Sequence, residues 1–431
     1  MKVLLVLNKP NREIPIMEAI RREICLINKN AMVEIKEMCT PEFPRFVFKF
    51  KPNVILTFPL TCEGFARWYY IFKFFLGAKI ISMRAEGVMD FNSEYELERF
   101  VGYDSYGGNL VDYELSWGEK FARVVGEELV KQGRLSSLDR FRTVGYPRLE
   151  SYFEQKMNLP SPIFRVLDRI SNYKKEKIVL FITGFVLANY SKQNILDAKD
   201  MGGEDRMDKA LEGVEIIKNF RSEWIRQIIN VAVENPDALI IVKKHPLENR
   251  GDYNHLLEGI KNILYIFEDI QMSEIIHHVG VYFHYGSTSL IDAYLSGTPS
   301  IYVSSEKNGE WYSDLGWPST RRIDINEISL TVKDFLAGHI SFEMTDEIKH
   351  VMKEMFNIRE GITYNPSREI AKIILDPTPP QKIKITDQYF LKALAITILT
   401  TSRNLASSML LQVAPTIHRR AKNWLKKQGS R

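Results

Sequence analysis

Short apolar runs alternate with longer amphipathic stretches along most of this chain. Val3–Leu7, Asn53–Phe58 and Lys79–Met83 are compact runs rich in Val, Ile and Leu, the pattern of strands covered on both faces. Val33–Ile35, Leu115–Trp117 and Thr143–Val144 are shorter candidates of the same kind. Between them, Ile14–Ile27 places Ile16, Ile20, Ile24 and Ile27 on one helical face, and Gly64–Leu76 and Glu119–Lys131 read as further helices. A second series follows. Its strands are Ile178–Thr183, Ala238–Val242, Ile263–Phe267, Val281–His284 and Ser300–Val303, and its helices are Arg221–Glu234, Ser273–His278 and Ser289–Ser296. Each series has the strand–helix rhythm of a parallel sheet with helices on both faces. The expected fold class is therefore α/β, with two Rossmann-like domains facing a cleft and a C-terminal helical basic tail. The expected limits are residues 1–150, a polar linker at 151–176, a second domain at 177–380 and the tail at 381–431. Residues 187–219, with Gly202-Gly203, read as a polar insertion over the cleft.

Length and composition agree with two domains. The chain has 431 residues, 45% hydrophobic and 26% charged, enough for large cores. Cys25, Cys39 and Cys62 are odd in number and lack metal-ligand spacing, which favours a reducing compartment and no metal site. No apolar run reaches the roughly 18 residues of a membrane span. Eight of the Lys and Arg residues lie in 390–431, which holds no Asp or Glu, so the net +4 less those eight leaves −4 on the rest. A mildly acidic body does not fit a nucleic-acid binder.

In open parallel sheets ligands bind beyond the carboxyl ends of the strands, and the candidate chemistry stands there. After the strand Ala238–Val242 come Lys243, Lys244 and His245, and Pro246 stops further pairing. Two cations and an imidazole could hold a phosphate, or they could form a solvated loop. After Val281–His284 come Gly286, Ser287, Thr288 and Ser289, opening a helix that Gly297 and Pro299 end. Small hydroxyls and amides at a helix start could face an anion, or a serine could simply cap the helix. Arg84, Glu86 and Gly87 follow the strand Lys79–Met83, where Glu86 could take a proton from an acceptor hydroxyl, with Asp90 and Asp104 as alternatives. Glu306 and Glu310, after Ser300–Val303, could touch a ribose or base, or be solvated.

Four ordered segments carry a family resemblance: Ala85-Glu86-Gly87, Lys244-His245-Pro246, Ser287-Thr288-Ser289 and Val144-Gly145-Tyr146-Pro147-Arg148-Leu149. The chain resembles bacterial surface-carbohydrate glycosyltransferases of the GT-B type, including the Kdo and sialic-acid transferases that use CMP-activated sugars. Ala85 stands where that family has a first acid, and Tyr146 where it has Asn. The resemblance implies Glu86 as base, and His245 with the serine loop on the donor phosphate. It implies inverting transfer without a metal or other cofactor, from a nucleotide-sugar donor to a glycan or glycolipid acceptor. A CDP-glycerol-type glycerophosphotransferase is the competing enzyme reading, and a non-catalytic nucleotide-sugar-binding assembly factor is the other. The tail segment Arg419–Lys427, with Trp424 and Leu425 among cations, is expected to hold a cytoplasmic enzyme on the anionic inner face of the cell membrane. The alternative for the tail is a helix pair packed on the second domain.

Overall fold

The computed structural model describes residues 1–8, 10–38, 40–58, 63–84, 110–133, 137–153, 163–191, 207–249, 251–268, 270–304 and 316–380. It also describes Leu97, Val101, Lys382, Leu391, Ala393–Ala395 and Thr397. Glu86, Gly87, Asp90, Asp104, Glu306 and Glu310 lie outside the described residues, as do Cys62, residues 192–206 and the basic segment Arg419–Lys427.

The chain forms two compact units. Met1–Arg148 and Lys353–Arg431 make the first, and Leu149–Met352 the second. The first unit carries β1 (Lys2–Leu7), β2 (Met32–Glu37), β3 (Val54–Thr57), β4 (Lys79–Met83), β5 (Tyr113–Ser116) and β6 (Phe141–Thr143). They form one parallel sheet in the order β2-β1-β3-β4-β5-β6. Its connecting helices are α1 (Pro10–Ile27), α2 (Phe43–Phe50), α3 (Glu63–Leu76) and α4 (Glu119–Lys131). Leu4, Val6, Ile55 and Ile80 meet Phe43, Val47, Tyr69 and Phe72 of α2 and α3 in its core.

The second unit carries β7 (Ile178–Ile182), β8 (Leu239–Lys243), β9 (Ile263–Ile266), β10 (Val281–His284), β11 (Ser300–Ser304) and β12 (Arg321–Asp324). This sheet is also parallel, in the order β12-β11-β10-β7-β8-β9. Its helices are α5 (Ile163–Ile170), α6 (Met207–Glu234), α7 (Gly251–Leu257), α8 (Met272–Ile275), α9 (Leu290–Ser296) and α10 (Ile328–Leu336). Val179, Phe181, Ile240, Val242, Val281 and Phe283 pack against Trp224 and Ile228 of α6 and Val332 and Phe335 of α10. The strand–helix alternation thus yields the two Rossmann-like domains that the hydrophobic pattern predicts.

Several elements differ from the sequence expectation. The chain returns to the first unit within α11 (Asp346–Phe356), and α12 (Pro366–Leu375) packs on α1. Residues 353–380 therefore belong with the first unit, not the second, and residues 163–176 belong with the second unit instead of standing apart as a linker. Residues 207–219, read as polar insertion, begin the long helix α6. In the tail, Ala393 and Thr397 are buried, and Leu391 and Leu394 pack against the first unit's core. These residues of the tail belong with the first unit, where the sequence alternative has a helix pair on the second domain. No helix among the described residues is long and apolar enough to cross a membrane.

Two polar anchors hold the first unit's helices and strand ends. Lys73 of α3 is buried, with Nζ 2.8 Å from Asp112 Oδ2 and donating to the Leu110 carbonyl at 2.7 Å. Asp112 also accepts from the Ile80 amide at 2.8 Å. Burial lowers the Lys73 pKa, and the neighbouring Asp112 carboxylate opposes that shift. At the point of passage to the second unit, Tyr146 stacks on Trp117 with centroids 3.7 Å apart. The Tyr364 hydroxyl accepts from the Tyr146 amide at 2.7 Å and donates to its carbonyl at 3.3 Å. Gly118, which opens α4, lies against the end of α11; a Cβ there would sit 2.1 Å from the Glu354 carbonyl oxygen. Gly118→Ala is expected to destabilise the protein by about 3 kcal/mol. Gly251→Ala, whose Cβ meets open space, should change stability by less than about 1 kcal/mol. Denaturant unfolding of the two variants checks the contrast.

Candidate functional site

The second sheet brings three strand ends to one edge. Phe181 of β7 is in register with Val242 of β8 on one side and Phe283 of β10 on the other. Three residues on from that register come Gly184, His245 and Gly286, just past the three strand ends. The backbone here can approach a ligand closely. A Cβ on Gly184 would lie 2.8 Å from the Tyr285 hydroxyl, and Gly286 has φ of +96°, which a side chain would strain.

The loop after β8 is organised by a residue that the sequence did not single out. Glu248 is buried and receives four hydrogen bonds. Its Oε1 accepts from the Phe185 amide at 2.7 Å and from the Tyr253 hydroxyl. Its Oε2 accepts from the His245 amide at 3.0 Å and from the Thr183 hydroxyl. These donors occupy the acceptor sites of the carboxylate. They tie the tip of β7 to the tip of β8. Burial, then the Glu248 charge, raises the Tyr253 pKa, so its phenol keeps the proton that Glu248 accepts.

Within this frame the three basic residues diverge. The Leu247 amide donates to His245 Nδ1 at 3.2 Å. In the neutral ring the hydrogen is then on Nε2 of half-buried His245. Lys244 is turned inward instead. Its ammonium donates to the carbonyls of His245 at 2.8 Å, Pro246 at 3.4 Å and Glu248 at 2.7 Å. Its three hydrogens hold the loop, where the sequence reading has this side chain on a phosphate. Lys243, half-buried at the end of β8, is close enough to Glu274 to oppose the burial that raises that carboxyl's pKa. Pro246 is exposed.

The serine loop after β10 is likewise rearranged from expectation. Ser289 precedes α9 but does not cap it. Its hydroxyl bonds Tyr282 Oη at 2.6 Å and Ser287 Oγ at 2.7 Å. The Ser289 amide donates to Ser287 Oγ at 3.2 Å, while the amides of Leu290 and Asp292 close tight turns onto Ser287 and Ser289 carbonyls. Among the described residues, the N–H groups of Gly184, Ser287 and Thr288 have no bonded partner. Ser287 is half-buried and Thr288 exposed. Beneath the loop, buried His284 accepts from the Gly286 amide through Nδ1 at 3.4 Å. Its Nε2 lies 3.3 Å from Ser319 Oγ.

The candidate in the first unit is partly visible. Arg84 is buried, pairs with Glu114 at 2.9 Å and lies over the Phe121 ring, and its carbonyl accepts from Trp117 Nε1 at 2.9 Å. These contacts anchor the end of β4. His277 and His278 follow α8 with their surfaces exposed, and partial desolvation of their rings is the first cause that lowers their pKa values. No cluster of side chains suited to a metal ion occurs among the described residues.

No protein-family model matches the chain, and no curated protein matches it. Solved structures do. UDP-GlcNAc 2-epimerase from Neisseria meningitidis, bound to UDP-GlcNAc, aligns over 87% of this chain and 100% of its own, with TM-score 0.50 and 13% identity. S. aureus MnaA, in a co-structure with UDP, aligns over 89% and 100%, with TM-score 0.51 and 12% identity. The wall teichoic acid polymerase TagF, a His-to-Asn variant soaked with CDPG, aligns over 87% of each chain, with TM-score 0.50 and 10% identity. The fold is of the GT-B type. At these identities the likeness establishes the fold and no more.

Glu248→Gln places an amide NH₂ against two buried donors. It should cost about 2–4 kcal/mol in denaturant unfolding, with faster amide exchange at Phe185 and His245.

Proposed function

We propose that this chain is a sugar-nucleotide-processing enzyme whose donor phosphate binds the strand-end edge of the second unit. One observation carries the reading. Gly184, His245 and Gly286 with its serine loop follow the tips of three adjacent parallel strands, and the N–H groups of Gly184, Ser287 and Thr288 have no bonded partner among the described residues. Neutral donors fixed in advance stabilise charge that grows on a phosphate oxygen as its bond to the sugar breaks. The three fold neighbours with bound UDP-GlcNAc, UDP or CDPG support a nucleotide ligand for this chain.

Within that class we favour inverting transfer of a Kdo-like or other nonulosonic acid from a CMP-activated donor to a surface glycan or glycolipid. The acceptor oxygen forms the new bond to the anomeric carbon, the old bond to the CMP phosphate breaks, and a base takes the acceptor proton. Glu86 is the sequence candidate for that base. The inward turn of Lys244 supports the CMP choice, because the remaining donors suit a singly charged phosphodiester better than a diphosphate. The TagF likeness keeps a CDP-linked phosphotransfer as the second reading.

Thermal shift with CMP, CDP, UDP and GDP tests the assignment, since a ligand stabilises in proportion to its saturation. CMP is expected to give the largest shift, CDP preference would favour phosphotransfer, and no shift from any of the four would end the proposal. His245→Ala and Glu86→Ala should each lower nucleotide release from CMP-sugars by about 10².

The basic end of the tail is proposed to hold the enzyme on an anionic membrane, each cation contributing about 1 kcal/mol. Removing 418–431 leaves the packed residues Ala393 and Thr397 in place and should abolish sedimentation with phosphatidylserine vesicles. Undiminished sedimentation would refute the anchor.

A further inference from the structure

The serine loop contains a directed chain of hydroxyls. Tyr282 Oη, in β10, lies 2.6 Å from Ser289 Oγ, which lies 2.7 Å from Ser287 Oγ. Tyr282 itself is buried in the sheet. Geometry alone permits two directions of hydrogen donation, and acidity selects between them. A phenol is a far stronger acid than an aliphatic alcohol, so it is the better donor and the serine the better acceptor. Tyr282 then donates to Ser289, and the Ser289 hydrogen passes to Ser287. Ser287 Oγ also accepts from the Ser289 amide at 3.2 Å. With two hydrogens arriving, both acceptor positions of Ser287 are filled. Its own hydrogen must point to a third group.

We propose that Tyr282 is a positioning residue that sets this chain outward, so that Ser287 presents a fixed hydrogen to the donor phosphate. The inference rests on the phosphate site proposed above and adds a residue outside its contact shell. Without the phenol, Ser289 can accept from Ser287, and the Ser287 hydrogen turns inward. Tyr282 therefore favours an anion at the loop over any ligand that must donate to it.

The test is calorimetric titration of the purified full chain with CMP, or with CDP should the nucleotide panel select it. Tyr282→Phe keeps the ring and is expected to melt within about 4 °C of wild type. It should weaken nucleotide binding about five- to tenfold, the scale of one hydrogen bond. In a Ser289→Ala background the same change should have no effect, because the link is already cut. A merely structural role for Tyr282 would weaken binding by the same factor in both backgrounds, and that result overturns the proposal. So does a Tyr282→Phe variant that binds as tightly as wild type. If the wild type binds neither nucleotide nor pyrophosphate, the phosphate site and the hydroxyl chain fall together; if it binds and only the variants disobey, the chain alone falls.

Discussion

The candidate site depends on one carboxylate. Glu248 sits below the loop after β8 and gathers donors from the end of β7, from the His245 backbone and from the Tyr253 side chain. A parallel sheet leaves its strand tips without ladder partners, so each tip needs some other fixative. Here one buried acid supplies it for two neighbouring strands. The positions of His245 and of the Gly184 amide follow from that arrangement, because both belong to the segments Glu248 holds. Hydrogen bonds to an ionised group are about twice as strong as neutral ones. A clasp of this kind fixes the loop after β8 to the tip of β7.

The cations that look available in the sequence serve the scaffold. Lys244 closes its own loop through three carbonyls, and Arg84 is buried against Glu114 and Phe121. Both stand beside motif residues, and in both cases proximity in sequence suggested contact with a substrate. In the structure both side chains are engaged within the protein. A long cation at a strand end can bend back to satisfy orphan carbonyls more cheaply than it can stand desolvated over an empty site. What remains at the strand tips of the proposed site is chiefly backbone amides, hydroxyls and one imidazole.

The fold was largely legible because its signal is local. Apolar runs bounded by polar residues marked eleven of the strands, and β1, β7 and β10 stand within a residue of their expected limits. β12 was missed because Arg321-Arg322-Ile323-Asp324 lies at the sheet edge and carries charge. Helix α2, Phe-Pro-Arg-Phe-Val-Phe-Lys-Phe, alternates like a strand and becomes helical through packing on α3. The site was legible where strand ends meet Gly, His and Ser. Glu248 was not, because a glutamate in a polar loop reads as solvated, and only the fold converts it to a buried acceptor. Thr183-Gly184 did carry a signal, a hydroxyl and a glycine closing an apolar run, and it stands beside the basic loop only because β7 is paired with β8.

The pairing of α1 with α12 has a consequence for biosynthesis. More than three hundred residues separate the two helices, and the whole second unit, Leu149–Met352, is inserted between them. On a ribosome that adds roughly 5–20 residues each second, α1 waits tens of seconds for its partner. Throughout that interval the nascent first unit shows an uncovered apolar flank. The inserted unit, whose sequence is continuous, can reach its native form earlier, so the half of the chain that emerges first is the half that matures last.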